Sequence, residues 1–236
     1  FRENDLKNGG QGAPLTPIFH EMLSKKLGIN PVIFLNIGGI ANLTRVNSGY
    51  KINSWDCGPG MCLIDKWIRM NSKERFDKNG QIAKTGIINE KILKKYNEQI
   101  NNFWHKMTVK SFDVNDFNLD FIKGLSIADG AATLIEFTVF NIIEQVKLLC
   151  SEKSKVILCG GGRKNKFLIE RMKKNSIQSL KIFELKNIDD YGVDGDFIES
   201  QAFAYLAIRS YLNLPISFPE TTGVKKPCTG GLIFEH

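Results

Sequence analysis

One carboxylate close to a pair of glycines is the clearest candidate for chemistry in this sequence. Asp56 stands just before Gly58-Pro59-Gly60, and an apolar run at 32–35 ends upstream in the sequence NIGG, residues 36–39. Paired glycines directly after a strand let backbone N–H groups approach an anion. Ligands in open α/β folds gather at strand ends. The pattern therefore predicts a phosphate-binding turn with a carboxylate close by.

A structural interpretation of the same carboxylate stays open. Apolar residues at 63, 64, 67 and 68 have helical spacing, so a helix is predicted over 60–70. Asp56 would then lie next to the start of that helix, where aspartate is a frequent capping residue. Capping and chemistry do not exclude each other at this position.

A second glycine-rich turn also follows a predicted strand. The strand is expected over 155–159, and Gly160, Gly161, Gly162 and Asn165 come between it and the next helix. Strand, glycines and helix in this order are typical of a nucleotide site. The turn is not a Walker A loop, and it is not G-x-G-x-x-G because Asn165 occupies the place of the last glycine.

The elements that must position these turns alternate between strands and helices. Residues 1–15 are polar and rich in glycine, which predicts a loop. Further elements follow from apolar spacing, namely helices at 16–27, 126–149 and 197–212 and a returning strand at 43–46. Together they predict an α/β protein with a mixed sheet flanked by helices.

Composition narrows the function classes. The chain has 236 residues, is 42% hydrophobic and carries a net charge of +7. The lysines are scattered among Asn, Asp and Glu, which favours a solvated surface over nucleic-acid binding. No run is apolar enough to span a membrane, and five cysteines without a C-x-x-C pair are typical of reduced thiols in the cytoplasm. The chain begins with Phe1, so we expect its beginning to be missing.

Taken together, the motifs closely resemble those of the anhydro-N-acetylmuramic acid kinase family. The motifs are GGQGAPL at 9–15, NIGGIAN at 36–42, DCGPG at 56–60, CGGG at 159–162 with Asn165, and the segment 215–223. The resemblance covers essentially the whole chain. It implies the ribonuclease H-like fold of the actin, Hsp70 and sugar-kinase superfamily, in which two lobes close around ATP. Residues 1–30 would be a connector and the start of a lobe, and 31–236 the C-terminal kinase lobe, with the N-terminal lobe absent.

The resemblance also implies a reaction. Such kinases use ATP and Mg²⁺ to phosphorylate O6 of 1,6-anhydro-N-acetylmuramic acid while water opens the anhydro ring, in the recycling of cell-wall sugars. The protein would be cytoplasmic, a homodimer when complete, and without nucleic-acid or membrane partners. The chain alone, with half a cleft, would be inactive.

Residue roles carried over from the family are likewise expectations. Asp56 would deprotonate the attacking water, and Glu199 would orient water or sugar. The remaining assignments are ATP-binding Asn36, Ile37, Gly38, Gly39, Asn42, Gly160, Gly161, Gly162 and Asn165, and sugar-binding Arg2, Asp5, Gly58 and Gly60. Met61 departs from the family, which often has Asn there.

Two alternatives to the enzyme remain at this stage. A non-catalytic nucleotide-binding relative could share the fold, because fold does not determine function. The presence of both Asp56 and Glu199 argues against such a decayed relative, although Glu199 lies three residues after Asp196 and so has capping-box spacing. A basic interaction domain is the other alternative, and it predicts salt-sensitive binding to nucleic acid.

Overall fold

A five-stranded mixed sheet forms the centre of the protein. The computed structural model describes residues 1–104, 111–149, 155–178 and 183–232. The strands are β1 (Val32–Ile37), β2 (Ile40–Val46), β3 (Ile52–Pro59), β4 (Lys155–Cys159) and β5 (Glu184–Asn187), in the spatial order β3-β2-β1-β4-β5. The first three strands are antiparallel, whereas β4 pairs parallel with β1 and β5 parallel with β4. This confirms the predicted α/β class and is the strand arrangement of the ribonuclease H-like fold.

Eight α-helices accompany the sheet in the described part of the chain. They are α1 (Arg2–Lys7), α2 (Pro17–Leu27), α3 (Cys62–Asn71), α4 (Gln81–Thr85), α5 (Glu90–Trp104), α6 (Ile127–Leu149), α7 (Lys166–Gln178) and α8 (Ile198–Tyr211). None of the helices within the described residues is long and apolar enough to cross a membrane. The predicted helices at 16–27, 60–70, 126–149 and 197–212 are confirmed as α2, α3, α6 and α8.

Helices cover both faces of the sheet. Side chains alternate along a strand, so Ile33 and Leu35 of β1 join the larger core beneath α3, α6 and α7, whereas Val32 and Phe34 join the core beneath α2 and α8. All four side chains are at most 2% exposed. Burial on both faces explains why β1 reads as a continuous apolar run.

A buried histidine lies in the core beneath α2. His20 is 2% exposed and stacks on Phe34 with 4.9 Å between ring centroids. Its Nδ1 lies 2.8 Å from Oγ1 of Thr44, which in turn lies 3.3 Å from Oγ of Ser54. Burial lowers the pKa of His20 to about 4, so the imidazole is neutral at physiological pH.

The predicted loop at 1–15 is partly wrong, because α1 forms within it. Its first turn carries the acidic Glu3 and Asp5, whose negative charges interact favourably with the positive end of the helix dipole and so stabilise the helix. Asp5 is fully buried and its Oδ1 accepts a hydrogen bond from the backbone N–H of Gly12 at 2.6 Å. Tertiary contacts of this kind stabilise a helix that is too short to show a periodic apolar pattern.

Candidate functional site

A row of polar residues crosses three neighbouring strands. Asn36 of β1 pairs in register with Asn42 of β2, and Asn42 pairs with Asp56 of β3. Neighbours in register project from the same side of a sheet. The register shifts between Ala41 and Asn42, so β3 has a bulge here, with Gly58 opposite Ala41. Bulges often redirect side chains next to active sites.

Asp56 is a nearly buried carboxylate within β3. Its side chain is 7% exposed, and its Oδ2 accepts a hydrogen bond from the backbone N–H of Phe112 at 2.6 Å. The Ser111 side chain also donates to it. Burial raises the pKa of Asp56 to about 6, although both hydrogen bonds act in the opposite direction. The alternative capping role is not observed, because Met61 is the N-cap of α3 and no side chain caps that helix.

The predicted phosphate turn holds the start of α3. The N–H of Met61 donates to the Gly38 carbonyl at 2.8 Å, and the N–H groups of Gly60 and Cys62 donate to the Gly39 carbonyl at 2.9 and 3.1 Å. A Cβ at Gly60 would overlap the Gly38 carbonyl oxygen, so this contact requires glycine. No hydrogen bond leads from the N–H of Gly38 or Gly39 to another described residue. Those two N–H groups are therefore available to an anion.

The second glycine turn packs against the end of β1. Gly160 has φ +78°, and a Cβ there would lie 2.7 Å from the Ile37 carbonyl oxygen and would overlap Oδ1 of Asn36. A Cβ on Gly162 would overlap the Ile37 side chain, whereas nothing lies within 4 Å of the position for a Cβ on Gly161. Gly160 and Gly162 thus allow this turn to pack closely against the end of β1, whereas Gly161 faces open space.

A cavity of about 520 Å³ lies between the two glycine turns. Gly38 and Gly39 line one side, and Gly161, Gly162 and Asn165 line another. Asn165 is 4% exposed and its Oδ1 accepts a hydrogen bond from the N–H of Leu168 at 3.0 Å, which caps α7. Its Nδ2 has no partner among the described residues and is thus a donor available to a ligand. This size and lining suit a small organic molecule.

A buried arginine holds the second glycine turn, and sequence reasoning gave it no role. Nε and Nη2 of Arg163 donate to Asp189 and Asp196 at 3.0 and 2.8 Å, and Nη1 donates to the Gly160 carbonyl at 3.1 Å. Lys164, followed by Arg163, holds the pKa of Asp196 below its usual range. Asp196 does not cap α8, whose N-cap is Phe197 without a side-chain bond, so the capping-box interpretation is wrong.

No contact links Glu199, the second predicted catalytic acid, to Asp56 among the described residues. Glu199 lies exposed in the first turn of α8 and forms no hydrogen bond or ion pair with a described residue. Arg2 lies exposed on α1, while Asp5 holds the 9–12 turn through its buried Oδ1. Oδ2 of Asp5 is buried and has no partner among the described residues. The polar row and the two glycine turns are therefore the part of the predicted site that the structure assembles.

These features define an α/β protein of the ribonuclease H-like arrangement with a cavity of nucleotide size between two glycine turns. The family model for anhydro-N-acetylmuramic acid kinase matches residues 1–236, and the chain belongs to this family. Two curated relatives carry the same description. One, from Pelagibacter ubique, is 50% identical over all of this chain and 64% of its own length, and one from Zymomonas mobilis is 38% identical over 99% of this chain and 62% of its own length.

The chain thus spans less than two thirds of the length of these relatives. Among solved structures, the activator of 2-hydroxyisocaproyl-CoA dehydratase from Clostridium difficile with bound ADPNP matches at a TM-score of 0.46 and 14% identity. That match covers 77% of this chain and 62% of the other.

Proposed function

We propose that the protein containing this chain is an ATP-dependent kinase that opens 1,6-anhydro-N-acetylmuramic acid and phosphorylates its O6. The observation that carries the proposal is the placement of Asp56, a nearly buried carboxylate in register with Asn42 and Asn36. Asn36 lies one residue before the Ile37-Gly38-Gly39 turn. Membership of the anhydro-N-acetylmuramic acid kinase family supports the choice of substrate.

Asp56 would act as the general base. Its carboxylate takes a proton from water, and the water oxygen forms a bond to C1 of the sugar. The C1–O6 bond breaks with its electron pair on O6, which bonds to the γ-phosphorus as ADP leaves. The product is N-acetylmuramic acid 6-phosphate, and Asp56 returns its proton to solvent. A carboxyl pKa near 6 suits this role, since the base is mostly ionised at pH 7 yet more basic than an exposed aspartate.

The two glycine turns would hold ATP. The N–H groups of Gly38 and Gly39 would bind phosphate oxygens, with Asn36, Ile37 and Asn42 shaping the turn. Adenosine would lie against the Gly160–Gly162 turn, where Nδ2 of Asn165 is the available donor.

The metal would accompany the nucleotide. No group of three or more His, Cys, Asp or Glu side chains in the described part of the chain could hold a metal ion. We propose that Mg²⁺ is bound by phosphate oxygens, water and one or two carboxylates, which is its usual arrangement in kinases and needs no group of three such side chains. It would neutralise charge that develops on the transferred phosphoryl group.

The sugar would be held by residues at the rim of the site. Glu199 is exposed and has no partner among the described residues, so its carboxylate is available to orient water or sugar. Arg2 is exposed and would pair with the lactyl carboxylate. Asp5, Gly58 and Gly60 would shape the sugar site, which we propose is completed by an N-terminal lobe. The complete protein would be a cytoplasmic homodimer that serves cell-wall sugar recycling.

The direct test is ADP release by the complete protein with and without 1,6-anhydro-N-acetylmuramic acid. We expect release that depends on the sugar and is lost in Asp56→Asn, with ATP binding retained. Residues 1–236 alone should bind nucleotide weakly and show no turnover. ATP binding without sugar-dependent release would instead favour the non-catalytic relative, and full activity of residues 1–236 alone would contradict the two-lobe proposal.

A further inference from the structure

Asp65 is an unpaired carboxylate in the cavity to which sequence reasoning gave no role. It lies on α3 one turn after Met61, whose carbonyl accepts the Asp65 N–H at 2.8 Å, and its side chain lines the cavity. Neither carboxylate oxygen accepts a hydrogen bond from a described residue, and Oδ1 is buried. Burial raises the pKa of Asp65 to about 6. Because buried polar groups are normally hydrogen-bonded, a ligand that donates to Asp65 would stabilise the site.

The neighbouring Asp77 is engaged by backbone N–H groups rather than by Asp65. Asp77 is 2% exposed, and its two oxygens accept hydrogen bonds from the N–H groups of Ile82 and Ala83 at 2.8 and 2.9 Å. Both oxygens are thus occupied in starting α4. Asp65 thus keeps both carboxylate oxygens open to a donor on a bound ligand.

The position of Asp65 along the cavity indicates which part of a nucleotide it would meet. The N–H of Met61 donates to the carbonyl of Gly38 in the phosphate turn, and Asp65 lies four residues further along α3, about 6 Å along its axis. The free Nδ2 of Asn165 lies by the other glycine turn of the same cavity. In ATP the ribose lies between the phosphates and the base. Asp65 lines this cavity together with both glycine turns, so it is available to the ribose of a nucleotide with phosphates at Gly38 and Gly39 and adenine near Gly161.

We propose that Asp65 binds the ribose of the nucleotide by accepting hydrogen bonds from its 2′- and 3′-hydroxyl groups. A carboxylate has two oxygens and can accept from both hydroxyls. The proposal rests on the ATP site proposed above and assigns a residue to its sugar moiety. It makes the site selective for ribonucleotides over deoxyribonucleotides.

The test compares the dissociation constants of ATP, 2′-deoxy-ATP and 3′-deoxy-ATP by calorimetry on the complete protein. A hydrogen bond to a charged group is worth about a tenfold change in affinity or more, so unaltered protein should bind ATP at least about tenfold more tightly than either analogue. Asp65→Ala should bind all three nucleotides with similar affinity. Asp120→Asn is the matched control, because Asp120 is an exposed carboxylate paired with Lys123 that does not line the cavity, and it should keep the preference.

The outcomes separate this inference from the proposed kinase function. Equal binding of the three nucleotides by the unaltered protein would overturn the role of Asp65 while leaving ATP binding intact, and this comparison needs no variant. A preference for ATP that persists in Asp65→Ala would also overturn it. Failure to bind ATP at all would overturn the proposed function and the ribose site together.

Discussion

The activity of the complete protein should fall in acid with an apparent pKa near 6, set by Asp56. Burial moves the pKa of this carboxyl upward from its ordinary value to about 6. A shift of about two pKa units corresponds to about 3 kcal/mol of preference for the protonated form. At pH 7 about nine tenths of the base would be ionised, and at pH 5 about one tenth. The sugar-dependent kcat/KM should therefore fall about tenfold for each unit below pH 6.

Replacing Asp56 with Asn removes the base but keeps a side chain of the same shape. The Asn oxygen can still accept the hydrogen bond that Asp56 accepts from the N–H of Phe112, so the fold should be retained. Loss of a general base typically lowers the rate about 10²- to 10⁴-fold. The residual activity should no longer show a pKa near 6.

The assay is coupled detection of ADP between pH 4.5 and 8, with ATP affinity measured in parallel. Asp120→Asn serves as a control, because it also removes a carboxylate but one that is exposed and paired with Lys123. The control should keep the profile of the unaltered protein. An unchanged acid limb in Asp56→Asn, or turnover within tenfold of the unaltered protein, would refute the assignment of Asp56 as the base.

Three further predictions follow from burial and close packing. His20 should by itself lower the free energy of unfolding by about 3 kcal/mol as pH drops from 6.5 to 4, because the unfolded chain protonates it at its ordinary pKa and the folded chain only near 4. The raised pKa values of Asp56 and Asp65 act in the opposite direction over this range, so the contribution of His20 is the difference between the unaltered protein and His20→Gln in urea denaturation at both pH values. Gly160→Ala should lower stability by about 1–3 kcal/mol in the same assay, whereas Gly161→Ala, which meets nothing within 4 Å, should stay within about 0.5 kcal/mol. Arg163→Lys should lower Tm by several degrees and weaken ATP binding, because lysine lacks the planar guanidinium group that binds Asp189 and Asp196 together. Lys164→Ala is the control, since Lys164 is exposed, and equal Tm values for the two variants would contradict the prediction.

Much of the sheet and both glycine turns could be predicted from local patterns. β1 and β4 are short apolar runs, and each is followed by glycines, so their type and the turns after them depend on adjacent residues. Membership of the family could likewise be inferred from motifs that each span a few residues. The short helix α1 was missed because its stability depends on contacts of the buried Asp5 rather than on periodicity.

The chemistry of the site depended on residues that are distant in the chain. Parallel pairing of β1 with β4 brings Asn36 against Gly160, and the segment after residue 110 reaches β3 through Phe112. Neither the raised pKa of Asp56 nor the unpaired carboxylate of Asp65 could be predicted from spacing. Protonation and hydrogen-bond satisfaction follow from burial and from the groups that face each side chain, and packing decides both.

The sequence by itself therefore determined the α/β class, the two glycine turns, Asp56 as the carboxylate near the first of them, and the family. The expected position of Asp56 at the end of its strand was wrong, because β3 continues to Pro59. Only the tertiary structure decided that the two turns face one cavity, that Arg163 holds the second turn, and that Glu199 lies exposed at the start of α8 instead of capping it. The physical reason is the distance along the chain over which each effect acts. Secondary-structure propensity and turn chemistry depend on a few adjacent residues, whereas desolvation and ion pairing depend on elements that only folding brings together.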